Sequence, residues 1–183
     1  MRILMLTGDA GESQEIYYAK FRLEEEGWTV RIAAPTKRTI LSVVHDFEPG
    51  FDTYTEKPGY RVEVDLSLDL VDPGSFDALV LPGGRAPEYL RNKREAITIV
   101  RHFLDAKKPV AAICHGPLIL LAAGFGKDCR MTAYPDLAPD IIAAGGEFVD
   151  EAAVCHERVV TSRGWPDNGR WMGEFVRVAK NCL

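Results

Sequence analysis

Pro109-Val-Ala-Ala-Ile-Cys114-His115-Gly116-Pro117-Leu-Ile-Leu-Leu-Ala-Ala-Gly124 decides the fold, because it carries a short apolar run through one tight corner into a helix. Residues 110–113 suit a buried strand. Pro117, with its fixed φ and missing N–H donor, suits the first turn of a helix that ends near Gly124. Such an elbow lifts the side chain at the corner above the sheet edge, and Gly116 leaves room for backbone or substrate to come close. Cys114 occupies that corner. A free cysteine after an apolar strand is by default a small core residue. A thiol at a helix N-terminus, however, faces unpaired N–H groups and the positive end of the dipole, which favour thiolate. The expectation is a nucleophilic Cys114, the most readily alkylated of the four thiols.

Working outward from the elbow, residues 87–106 read as one helix, with Leu90, Ile97, Val100 and Leu104 at roughly helical spacing. Residues 76–81 read as a buried strand ending in Pro82-Gly83-Gly84, whose backbone amides can face a ligand. At the start of the chain, residues 2–7 are an apolar strand, 13–26 a helix closed by Gly27, and 28–33 a second strand. This βαβ unit, right-handed in nearly all proteins, places the acidic loop 8–15 at the carboxyl edge of the sheet, where open α/β sheets keep their sites. Residues 36–60, punctuated by Pro49, Gly50, Pro58 and Gly59, are predicted to be an irregular excursion whose only regular piece is 39–47. Residues 60–66 alternate like a strand with one exposed face. Beyond the elbow the pattern predicts a helix over 139–144, strands over 147–149 and 159–162, and a last helix over 169–180. Strands alternating with helices imply an α/β fold: a doubly wound, mainly parallel sheet with helices on both faces.

A chain of 183 residues, 46% of them hydrophobic, can bury a full core and fits one domain spanning 1–183. The net charge of −5, with no block of Lys or Arg, gives no electrostatic case for nucleic acid or an anionic membrane. Gly8 and Asp9 cut the opening apolar run short, and no apolar stretch approaches the roughly 18 residues of a span, so a cytoplasmic protein is expected. Cys114, Cys129, Cys155 and Cys182 show neither C-x-x-C pairing nor metal-ligand spacing, which predicts reduced thiols and no metal site. Gly8-Asp-Ala-Gly11 is not a dinucleotide fingerprint, and no cofactor is expected.

Leu81-Pro-Gly-Gly-Arg-Ala-Pro-Glu88 together with Ala112-Ile-Cys114-His115-Gly116-Pro117 resembles the DJ-1/PfpI superfamily, and the resemblance covers nearly the entire chain. Leu6-Thr-Gly-Asp-Ala-Gly-Glu12-Ser-Gln-Glu15 is similar to the loop from which that family presents its active-site glutamate, matched here by Glu15, with Glu12 one turn earlier. Val43-Val-His45-Asp-Phe47 and Thr53-Tyr-Thr-Glu-Lys-Pro-Gly59 resemble the plant DJ-1d glyoxalases more than the archaeal PfpI peptidases, although the plant proteins carry two such units. The resemblance implies a flavodoxin-like sheet, Cys114 as nucleophile, Glu15 beside it, His115 following it, and the backbone N–H groups of Gly84 and His115 as an oxyanion hole. In PfpI-type peptidases the residue matching Glu88 completes a Cys-His-Glu triad across a subunit interface, which implies a homo-oligomer, a dimer or a hexamer. Glutamine amidotransferases carry a similar elbow, but residues 165–183 hold no His-x-Glu to complete their triad.

Residue chemistry refines these roles. Acids in a first helical turn ordinarily complement the dipole, but a carboxylate against a thiolate is repulsive. Glu15 should therefore hold a proton at rest, its pKa raised by burial and like charge, and act as a base once sulfur has reacted. Consecutive residues at a helix start diverge by about 100° about the axis, so a direct Cys114–His115 pair is expected to be strained. Glu88 is functional only where an interface brings it to His115. His45, Arg163 and Trp165 are candidates for the pocket wall. Three functions remain open: a cofactor-free enzyme acting on 2-oxoaldehydes such as methylglyoxal, with removal of glycation adducts as a neighbouring activity; a cysteine peptidase using Cys114, His115 and Glu88; and a non-catalytic redox sensor or chaperone.

Overall fold

Side chains along the first strand, Arg2–Leu6 (β1), alternate between two layers: Ile3 and Met5 join one apolar cluster, Leu4 and Leu6 the other. A sheet buried on both faces is therefore built in from the first residues of the computed structural model, which describes residues 1–182. After β1 come the helix Ser13–Glu25 (α1), the strands Thr29–Ala34 (β2), Ile40–Asp46 (β3), Thr55–Val62 (β4), Leu66–Ser67 (β5) and Ala78–Leu81 (β6), and the helices Ala86–Leu90 (α2) and Arg94–Asp105 (α3). Then follow Val110–Ile113 (β7), Pro117–Ala122 (α4), Arg130–Met131 (β8), Ala138–Ala143 (α5), Glu147–Phe148 (β9), Ala153–His156 (β10), Val159–Ser162 (β11) and Asn168–Lys180 (α6).

The central sheet runs β10-β11-β7-β6-β1-β2-β5, with every pairing parallel except β10 against β11. Helices α1 and α6 cover one face through Ile16, Leu23, Trp171 and Phe175. On the other face α3 and α4 contribute Val100, Phe103, Ile119 and Leu120. This is the doubly wound α/β sheet with helices on both faces that the strand–helix alternation predicts, and the flavodoxin-like sheet that the family resemblance implies. No helix among the described residues is long and apolar enough to cross a membrane.

Two elements differ from the reading of the sequence. Residues 36–60 are not an irregular excursion: β3 and β4 form an antiparallel ribbon that pairs His45 with Glu56 and Asp46 with Thr55. Pro58 and Gly59 looked like strand breakers, but Pro58 lies opposite Val43, where the register shifts, on a two-stranded ribbon that can accommodate a missing donor. The helix expected over 87–106 is two helices. Lys93 takes an extended conformation, φ −96° and ψ 120°, while Asn92 Nδ2 donates to the Glu88 carbonyl at 2.9 Å and satisfies the end of the first.

Candidate active site

β1, β6, β7 and β11 all end at one edge of the sheet, and the segments leaving them converge there. From β1 the chain turns to β2 on one side while β6 pairs on the other, so the loops after β1 and β6 face each other at a topological switch point. A bridge between Gly11 and Gly84 joins those loops.

Cys114 stands where β7 gives way to α4, with φ +58°. A left-handed conformation at a non-glycine residue costs about 1–3 kcal/mol and persists only where its surroundings enforce it. Here the enforcement is a hydrogen bond from Gly116 N–H to the Ile113 carbonyl, 2.7 Å, and a backbone so close that a Cβ on Gly116 would lie 2.2 Å from the Leu81 carbonyl oxygen. The strained corner overturns one expectation. Cys114 Sγ and His115 Nδ1 lie 3.2 Å apart, because both residues precede α4 and the divergence of consecutive helical residues does not apply to them.

Glu15 lies in the first turn of α1 and is fully buried. Its Oε2 accepts the Gly83 N–H at 2.6 Å, while Oε1 has no partner among the described residues. Burial, with the nearby Glu12 charge second, pushes its carboxyl up to about 8, against the opposing pull of the Gly83 N–H. The sulfur lies in the same niche: a Cβ on Gly83 would sit 2.7 Å from Glu15 Oε2 and 3.0 Å from Cys114 Sγ. A glycine there is what allows acid and thiol to meet.

The Cys114 thiol is also shifted upward, by burial first and by the Glu15 charge second, although the N–H groups of Gly84 and His115 favour its thiolate. This corrects the expectation of a thiol depressed by the helix terminus. With 7% of Cys114 exposed, loss of solvation outweighs the few N–H groups that the short α4 offers. At neutral pH Glu15 is mostly protonated, and the part of the shift owed to its charge then falls away.

His115 is held neutral: burial, reinforced by His45, pushes its imidazole down to about 4. Its ring stacks on Tyr134, centroids 5.4 Å apart, and its Nε2 lies 3.9 Å from Glu88 Oε1. Glu88 therefore approaches His115 within a single chain, without the interface that the sequence reading required, but beyond hydrogen-bond reach and 46% exposed on its side chain.

Behind the thiol a polar network fixes the loops. Glu12 caps α1 by accepting Gln14 N–H, and its other oxygen accepts His45 N–H at 2.8 Å. His45 Nε2 meets Glu56 Oε2 at 2.9 Å, and Glu56 takes two 2.8 Å bonds from Arg85, which hold its carboxyl down at about 2. His45 is thus a strut in the wall. Trp165 belongs to the same wall, donating Nε1–H to the His45 carbonyl at 2.8 Å and lying beside Phe47. Arg163 does not join it, since its guanidinium is occupied by Asp167 and Asp150.

Tyr54, Tyr134, Glu56 and Arg85 form part of the site without having been singled out as site residues, whereas the Gly83 amide was expected at the ligand edge and instead donates to Glu15. Tyr54 lies 6.0 Å from the His115 ring, 5.3 Å from Tyr134 and 4.4 Å from His45, with its hydroxyl pushed up to about 12, chiefly by burial. The signal available in the sequence was its place within the quoted stretch from Thr53 to Gly59; its placement in the site required the ribbon.

A model of the DJ-1/PfpI family matches residues 1–178. Deglycase PH1704 of Pyrococcus horikoshii is 45% identical over 180 residues, 98% of this chain and 100% of its own. Protein DJ-1 homolog D of Arabidopsis thaliana is 36% identical over 97% of this chain and 47% of its own. Over the whole chain the archaeal relative therefore shares more residues than the plant protein, whose likeness was read from residues 43–59 alone. Among solved structures, a two-domain protein of Anabaena variabilis with DJ-1/ThiJ/PfpI-like and ferritin-like domains matches with a TM-score of 0.85 at 23% identity, over 96% of this chain and 47% of that one, a likeness of fold.

Proposed function

Because the chain belongs to the DJ-1/PfpI family, we propose that it is a cofactor-free cysteine enzyme that converts 2-oxoaldehydes such as methylglyoxal to 2-hydroxy acids. The observation that carries this reading is the buried Glu15 carboxyl, raised to about 8 beside Cys114. A carboxylate of raised pKa is a stronger base than an ordinary one once it ionises.

Cys114 Sγ adds to the aldehyde carbon as the thiol proton moves to the carbonyl oxygen, giving a neutral hemithioacetal without charging the His115 ring beside it. The N–H groups of Gly84 and His115, which already face the sulfur, stabilise the charge that develops on that oxygen. Ionised Glu15 then takes the carbon-bound proton and returns it to the neighbouring carbon through an enediol, leaving a thioester. Water cleaves the thioester to the hydroxy acid and regenerates the thiol. Removal of glycation adducts, the activity in the name of the Pyrococcus relative, draws on the same residues.

A second reading, a Cys-His-Glu peptidase, is favoured by the alignment of Cys114, His115 and Glu88. Against it stand an imidazole pushed down to about 4, a weak base for activating a thiol, and the burial of the sulfur. The test is purified protein with methylglyoxal and no glutathione, beside a fluorogenic peptide panel, for wild type and Cys114→Ala. Lactate formation that requires Cys114 is expected. Cys114-dependent peptide cleavage without lactate would select the peptidase, and loss of both with reversible Cys114 oxidation would select the redox sensor.

A further inference from the structure

We propose that Tyr54 sets the size of the substrate: carried by the β3–β4 ribbon against His115, the neighbour of the reactive Cys114, it restricts the site to small carbonyl groups and turns away aryl-substituted ones. This deepens the oxoaldehyde reading and rests on it.

Tyr54 immediately precedes β4 and is half-buried although it lies on a surface ribbon. Its ring meets His115 and Tyr134 edge-on, at interplanar angles of 81° and 84°, while His115 and Tyr134 stack on each other at 19°. Three rings thus stand together, and through His115, whose Nδ1 lies 3.2 Å from Sγ, the cluster adjoins Cys114, itself 7% exposed. The ring is also anchored. Two residues on, Glu56 grips Arg85 through both oxygens and meets His45 Nε2, and the His45 ring lies 4.4 Å from Tyr54. Trp165 holds the His45 carbonyl from the far side.

An anchored aromatic edge discriminates by shape. A three-carbon oxoaldehyde brings almost nothing past the rings, whereas an aryl oxoaldehyde must bring its own ring with it. Surplus bulk at a packed contact of this kind is worth roughly 10–200-fold in kcat/KM per small group.

The experiment measures kcat/KM for methylglyoxal and phenylglyoxal in wild type, Tyr54→Ala, Tyr54→Phe and Tyr54→Trp. In parallel, mass mapping gives the rates at which iodoacetamide and N-phenylmaleimide label Cys114. Tyr54→Ala should raise the phenylglyoxal-to-methylglyoxal ratio about tenfold or more, Tyr54→Trp should lower it, and Tyr54→Phe should leave it within about twofold. The labelling ratio should move in the same directions. Ratios unchanged in both Ala and Trp variants overturn the proposal, as does a shift in Tyr54→Phe equal to that of Tyr54→Ala, which would assign the effect to the hydroxyl. A wild type inactive toward both oxoaldehydes removes the proposed function, and the labelling ratios then decide the role of Tyr54 on their own.

Discussion

Replacing Glu15 by Gln keeps the shape of the buried side chain and an oxygen to accept the Gly83 N–H, but removes the group that takes a proton from carbon. Loss of a positioned general base costs about 10²–10⁴-fold in turnover, equivalent to about 2.7–5.4 kcal/mol of barrier. The same substitution has a stability signature. The Glu15 pKa rises from 4.5 to about 8 on folding, so between those values the native state keeps a proton that the unfolded chain has released. Stability owed to this group is therefore fully present below pH 4.5, falls as pH rises through the window, and levels off above pH 8, a total of the order of 5 kcal/mol. Gln does not titrate. Urea unfolding of both proteins from pH 5 to 9 should show wild type losing stability relative to Glu15→Gln by up to that amount, with other titrating groups cancelling in the difference. Lactate formation from methylglyoxal supplies the kinetic arm, and wild-type kcat/KM should climb with pH toward about 8 as the base ionises. A folded Glu15→Gln protein with near-wild-type turnover, or a stability difference independent of pH, would refute the assignment.

Glu88→Gln should change oxoaldehyde turnover by less than about threefold, because the carboxylate lies 3.9 Å from a neutral ring; steady-state kinetics check this, and a loss near that of Glu15→Gln would favour the triad. Gly83→Ala should abolish measurable lactate formation and lower stability by about 1–3 kcal/mol, since its Cβ would fall 2.5 Å from Cys114 Cβ and 2.7 Å from Glu15 Oε2; calorimetry and the lactate assay read the two effects. The chain is expected to self-associate, with exposed Phe21 and Tyr60 on a groove lined also by Tyr17 and Val44 as the apolar contact. Sedimentation should give more than the monomer mass and Phe21→Glu should lower it, while turnover persists because Cys114, His115 and Glu15 meet within one chain; a wild-type monomer at all concentrations would refute this.

Local pattern alone determined the elbow, the strand–helix alternation and the edge of the sheet where the reactive groups gather. These follow from spacing that no distant residue alters: Ile3 and Met5 against Leu4 and Leu6, the four-residue run before Cys114, Pro117 at the helix start and Gly27 at a helix end. The proton on Glu15 was also legible, because two acids aimed at one buried niche cannot both ionise. Tertiary structure decided what depends on distance and desolvation. It turned residues 36–60 into a ribbon, since strand pairing rather than propensity fixed β4 around Pro58. It brought both Glu88 and Tyr54 to His115 within one chain, contacts that join segments separated by 27 and 61 positions in the sequence. It also reversed the expected direction for Cys114, because a helix terminus is visible in the sequence whereas the burial that outweighs it exists only once the sheet edge has closed.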